Sequence, residues 1–340
     1  NQFGLRTGFT LVELLVVITI IGILAGLVMF AVGGAMGTAN EAAIRTELTS
    51  LDAAFVKYGN DISGNTYPPN LANAKMADGN GGATNMPNNL RAGILAQFKR
   101  HLNAAFPKHQ EPDELIEKIC GCTSNGSTRV DGLIGGLSPQ EALVFWLGGF
   151  SSDPKYPISG PGGPSFRAGE AEDWSSRTGR LFDFQEANLG PRDDAGNFGG
   201  RQFEYTVNGQ KRYINFWQYF PRRRTQAYAY FDTSRAPLDG LPIDVFPQLV
   251  PIKQKKSSVL DPSNLKVGDI RYANEGKCQL LSAGVDDEWG PFLSTQGVNF
   301  TNKAASAPLL LLYPDGPFTE AIGDTVTNFS TGASLEDSQP

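Results

Sequence analysis

The feature that most constrains this chain is an uncharged apolar stretch from Leu14 to Val32, which includes Ile18, Ile20, Ile21, Ile23, Leu24, Leu27, Val28, Met29 and Phe30. A helix over this stretch reaches about 28 Å, close to the hydrocarbon thickness of a bilayer. Such a helix is apolar on every side and has no polar face to leave in water. A secretory signal peptide is the competing reading. It has a shorter apolar core ending at a small-residue cut site, which Ala25 and Gly26 imitate, but it gives no reason for a carboxylate at the head of the run.

That carboxylate is Glu13. A charged side chain costs about 2.5 kcal/mol or more at a bilayer centre and is retained there with a partner, although a helix N-terminus already favours an anion. Gly8-Phe9-Thr10-Leu11-Val12-Glu13 followed by the apolar run resembles the type III signal of type IV prepilins and pseudopilins. The resemblance implies that residues 1–8 are a leader, and that a prepilin peptidase cuts between Gly8 and Phe9 and methylates the new Phe9 amine. It further implies that Glu13 pairs with the Phe9 amine of a neighbouring subunit during assembly, the partner that a buried carboxylate needs. An uncut leader would remove that amine and require another cation. Arg6 puts positive charge on the cytoplasmic side and so places the head outside. Many relatives carry a proline where this chain has Phe30. Here the apolar helix offers Gly22, Gly26, Gly33, Gly34 and Gly37 instead. Glycines allow close helix packing or weaken a helix by about 1 kcal/mol each relative to Ala, so a stretch between Gly22 and Gly37 is expected to loosen in an assembled filament.

Beyond Thr38, the residues Ala39, Ala42, Ala43, Ile44, Leu48, Leu51, Ala54, Phe55 and Tyr58 recur at spacings of three and four, with Arg45, Glu47, Asp52 and Lys57 between them. This is the pattern of an amphipathic helix, which continues the apolar one. The chain therefore divides into a leader-like segment (1–8), a membrane and assembly helix (9–60) and a globular head (61–340). In the head, Asn60–Asn89 reads as a loop, followed by helices over Leu90–Phe106 and Pro112–Ile119. A third helix opens at the capping box Ser138-Pro139-Gln140-Glu141 and ends near Gly148. Residues 151–200 read as a loop-rich surface insertion, and strands are expected at Tyr228–Phe231, Ile270–Tyr272, Cys278–Ser282 and Leu309–Tyr313. The fold class is α+β and type IV pilin-like: a long N-terminal α-helix, transmembrane and then amphipathic, with a head of helices and a small antiparallel sheet packed on that helix.

With 340 residues, a net charge of -6 and one dense basic run at Arg222–Arg224, the chain is not expected to bind nucleic acid. The aromatics around that run, Phe203, Tyr205, Tyr213, Phe216, Trp217, Tyr219, Phe220, Tyr228 and Tyr230, are expected in the head core and in subunit contacts. Cys120, Cys122 and Cys278 are disulfide candidates, with one bridge from Cys120 or Cys122 to Cys278 if the head lies outside the cytoplasm. Cys278 to Gly290 resembles the strand and acidic loop of bacterial secretion pseudopilins, some of which bind calcium there. By that resemblance Asp286, Asp287 and Glu288 are candidate calcium ligands, with Asp324 and Asn328 completing the site. His101 and His109, the two histidines, sit in no nucleophile or metal motif, so no enzyme is expected. Sequons occur at Asn125, Asn299 and Asn328.

The expected role is a structural subunit of an extracellular pilus-like helical filament made of copies of this chain. The subunit would be held in the inner membrane before assembly and handled by a prepilin peptidase and an assembly machinery. The alternatives are a major pseudopilin of a type II secretion system, in a periplasmic pseudopilus, and a membrane-anchored binding protein that never polymerises.

Overall fold

The computed structural model describes residues 10–70, 75–77, 83–207, 209–234, 242–243, 249, 251–256, 270–289, 312–316, 318 and 322–340. The chain forms two compact units, one ending at Ala43 and the other running from Ile44 to Pro340. A single helix, α1 (Leu11–Asp61), spans the boundary between them.

In the first unit, Leu11–Met29 has a mean hydropathy of 2.8 and is 0% buried, long and apolar enough to cross a membrane. Its side chains gain nothing from the rest of the unit, and each fully buried Leu or Ile would contribute about 1.5–3 kcal/mol if withdrawn from water. In the second unit, Ile44, Leu48, Leu51, Phe55 and Tyr58 of α1 are buried at the three- and four-residue spacing of one helix face. Against this face stand α2 (Asn88–Ala105), through Ile94, Phe98, His101 and Leu102, and α4 (Pro139–Leu147), which is buried over its whole length. A helix without a polar side belongs inside a core. Trp146 sits against Tyr58, Phe98 and His101, and its indole donates to the Pro69 carbonyl at 3.0 Å. The short α3 (Asp113–Cys120) ends at Gly121, whose φ of 66° closes the helix in a left-handed turn. A Cβ there would lie 2.2 Å from the Leu133 carbonyl.

Among the described residues the strands form four three-stranded sheets and one two-stranded sheet, not the single sheet expected. The sheet that meets α1 has Cys278–Ser282 at its centre, antiparallel to Ala229–Asp232 on one side and to Val326–Thr327 on the other. Tyr230 of this sheet stacks on Phe55 of α1 with ring centroids 4.0 Å apart. Lys253–Lys255 pairs in parallel with Leu312–Tyr313, so pairing is not antiparallel throughout; residues 309–311 of the expected last strand lie outside the described residues. The longest hairpin, Arg201–Val207 with Gln210–Phe216, was not anticipated. Its signal is present in the sequence: Phe203 and Tyr205 alternate inward, and the dipeptide Asn208-Gly209 is a sequence typical of two-residue hairpin loops.

The α4 capping box forms as its spacing predicts. Ser138 Oγ accepts from the Glu141 amide at 3.3 Å, and the Glu141 carboxylate accepts from the Ser138 amide at 3.1 Å and from Arg201. Residues 151–200 contain little regular structure but are tied inward by specific bonds. The Glu111 carboxylate accepts from the amides of Ile158 and Ser159 at 2.6 and 2.9 Å and from the Ser159 hydroxyl at 2.6 Å. Farther along, Glu172 holds Arg177, Asn215 and Trp217 together, and the Arg177 guanidinium lies 3.7 Å from the centre of the Trp174 ring.

Burial pushes the Glu111 carboxyl up from its ordinary value near 4.5, and its hydrogen bonds only partly offset this. A raised folded-state value means that the contribution of Glu111 to stability is full below its unfolded value, about pH 4.5, and is lost as pH rises from there through the higher folded value. The melting temperature of the native protein minus that of Glu111→Gln should therefore fall as pH rises from about 4 toward 7. A difference that stays flat, or rises, would contradict this placement of the charge.

Candidate functional site

The N-terminal end of α1 is built by a second capping box that lies inside the segment resembling a prepilin signal. Thr10 is the cap residue and Glu13 the third helical residue, the spacing at which the two side chains can satisfy each other's backbone donors. The Thr10 hydroxyl accepts from the Glu13 amide at 3.2 Å. In return the Thr10 amide and hydroxyl each donate to Oε2 of Glu13 at 2.8 Å. Among the described residues no hydrogen bond reaches Oε1. Glu13 is thus turned back toward the helix N-terminus, with Oε2 engaged by Thr10. Gly8 and Phe9 lie outside the described residues.

The helix continues without a break through Gly22, Gly26, Gly33, Gly34 and Gly37. At Gly22, Gly26 and Gly37 an added Cβ would meet nothing within 4 Å, so no neighbour among the described residues requires a glycine there. The loosening expected at these positions concerns an assembled filament, not the single chain.

Near its other end α1 is fixed to the head by two carboxylates whose roles were not read from the sequence. Glu47 accepts from the phenols of Tyr219 and Tyr228, each at 2.6 Å, and burial together with this carboxylate raises the pKa of both phenols. Asp52 accepts from the Asn328 amide at 2.6 Å and faces the Cys278 thiol at 3.7 Å. The available signal was position, because both acids border the apolar face that holds Ile44, Leu48 and Leu51.

The three cysteines are buried and none is in a disulfide, so the bridge expected from Cys120 or Cys122 to Cys278 is not formed. Cys278 is engaged with Asp52, whereas Cys122 faces the Arg91 carbonyl at 3.5 Å. Asn328 also accepts from the Leu280 amide, so this sequon is used up in the joint between α1 and the sheet. The Asn125 sequon is exposed, and Asn299 lies outside the described residues. His101 is a buried packing residue with Nε2 2.9 Å from the Tyr58 hydroxyl, and His109 faces Asn103.

The acidic turn departs from the ligand set expected of it. Asp287, at a φ of 64°, points its carboxylate at the neighbouring turn. Oδ2 accepts from the Thr225 amide and hydroxyl, both at 2.7 Å, and Oδ1 from the Gln226 amide at 3.0 Å. Asp324 instead caps the acidic turn itself, accepting from the amides of Val285 and Asp286 at 2.6 and 2.9 Å. Burial, and the nearby Asp286 carboxylate, raise the Asp324 pKa. Gly284 makes this approach possible, since a Cβ there would lie 2.3 Å from the Asp324 carbonyl oxygen. Among the described residues no three acidic, histidine or cysteine side chains gather as a metal site. Asp286 and Asp324 face each other, Asp287 faces away, and Asn328 belongs to the α1 joint, so the expected calcium set of Asp286, Asp287 and Glu288 is not assembled. Asp287→Ala should lower the melting temperature by the same amount in calcium and in chelator, because the carboxylate holds backbone amides. A loss confined to calcium-containing buffer would restore the metal reading.

Residues 5–29 match the family model described as the prokaryotic N-terminal methylation motif. No curated protein and no solved structure matches the chain. The motif implies processing by a prepilin peptidase and pilus-type assembly, and the apolar helix behind it fits membrane insertion before assembly. At its N-terminus the chain thus carries the prepilin-type methylation signal found in type IV pilin-like and pseudopilin proteins.

Proposed function

We propose that the chain is a non-enzymatic structural subunit of an extracellular helical filament made of many copies. The single observation that carries this reading is the placement of a helix apolar and exposed on all sides, Leu11–Met29, directly at the methylation motif. A membrane shields those side chains before assembly, and a bundle of identical helices shields them afterwards, so the same surface serves storage and polymerisation. Glu13 supplies the registration. Its carboxylate takes the methylated Phe9 amine of a neighbouring copy, which neutralises a charge that would otherwise be stranded among apolar helices. The small residues along α1 allow close approach, and the head lies outside the inner membrane and then on the cell surface.

A second reading is a major pseudopilin whose filament stays in the periplasm. The segment from Cys278 to Gly290 favours it by its resemblance to secretion pseudopilins, although the acidic side chains Asp286 and Asp287 do not converge as a calcium site would require.

Electron microscopy of producing cells, with antibody against the head, should show labelled surface fibres. Removing one partner of a buried charge pair costs about 3–5 kcal/mol, so Glu13→Ala should abolish the fibres while leaving the chain in the membrane. Unlabelled fibres, or normal fibres from the Glu13→Ala chain, would contradict the proposal.

A further inference from the structure

Two turns of the head, 221–226 and 284–288, are locked into one rigid ridge. Asp287 holds the amides of Thr225 and Gln226, and Arg224 donates to the Val285 carbonyl at 2.5 Å. Asp324 holds the acidic turn from behind. Each turn contains a non-glycine residue in the left-handed region, Arg223 at φ 61° and Asp287 at φ 64°. Such backbone is retained where surrounding bonds over-determine it.

The ridge presents charges of both signs. Arg222 and Arg223 are exposed on one turn, and Asp286 and Glu288 on the other. Among the described residues none of these four side chains is in an ion pair, although the turns carrying them touch. Asp286 instead lies beside a second carboxylate, Asp324.

We propose that this ridge associates two filaments side by side by pairing with the same ridge on a second copy of the chain. The inference rests on the filament reading above. A surface carrying opposite charges next to each other is complementary to itself across a two-fold axis. The arginines of one copy then meet the acids of the other, and the reverse contact forms at the same time. Because the turns are already fixed, little freedom is lost on contact. One exposed ion pair contributes little, but two aligned filaments repeat the contact along their length, so weak contacts sum to stable association that salt dissolves.

The test is electron microscopy and low-speed sedimentation of purified filaments at about 0.02 M and about 0.5 M salt. Native filaments should bundle at low salt, disperse at high salt and remain bundled in chelator. Filaments carrying Arg222→Glu with Arg223→Glu should stay single at low salt, as should filaments carrying Asp286→Lys with Glu288→Lys. A mixture of the two variant filaments should bundle. Should the double lysine variant not assemble, Glu288→Lys alone, mixed with the arginine variant, gives the same readout. Bundling by the arginine variant alone, a mixture that stays dispersed, or dispersal of native bundles by chelator would overturn the proposal. Native filaments that form but never associate would overturn it and leave the filament reading standing. A preparation without filaments would overturn both.

Discussion

The structure depends first on the exclusion of one helix end from water. Leu11–Met29 is apolar around its whole circumference and finds no cover within its own unit. In water this surface would drive aggregation; in a bilayer, or packed among identical helices, it is satisfied. On the filament proposal, the subunit has two low-energy homes for the same residues. Moving between them requires no refolding of the helix, only an exchange of lipid for protein. On the filament proposal, Glu13 makes that exchange selective for a neighbour that brings a positive charge. Its capping box orients the carboxylate in the single chain.

The remainder of α1 obeys a different rule. From Ile44 onward one face is buried in the head, and polar bonds fix the register. Phe55 stacks on Tyr230, Glu47 receives two tyrosine hydroxyls, and Asp52 reaches Asn328 on the sheet side. A single continuous helix thus has an all-apolar half followed by an amphipathic half, and each half specifies a different surrounding.

Much of this was legible in the sequence because it depends on local periodicity. The apolar run, the amphipathic continuation and the Ser138 capping box follow from spacing alone, and the strands Ile270–Tyr272 and Cys278–Ser282 fall where their apolar residues predict. What could not be read depends on direction. Asp286, Asp287 and Glu288 are adjacent in sequence, but a left-handed residue at Asp287 sends its carboxylate to another turn, so neighbours in the chain are not neighbours in space. The Arg201–Phe216 hairpin was hidden because its aromatics were grouped with the arginines that follow, although Asn208-Gly209 marked the turn. The Thr10 cap is hidden because the same four residues, Thr10 to Glu13, belong to the segment that resembles a prepilin signal.

The most direct measurement of the central claim is mass spectrometry of the N-terminus of the chain recovered from cells that contain a prepilin peptidase. The account predicts a chain that begins at Phe9 with a methylated amine, leaving Thr10 and Glu13 in place to cap α1. A chain that retains Gly8 and the residues before it, or one cut near Ala25 with the apolar helix removed, would contradict it.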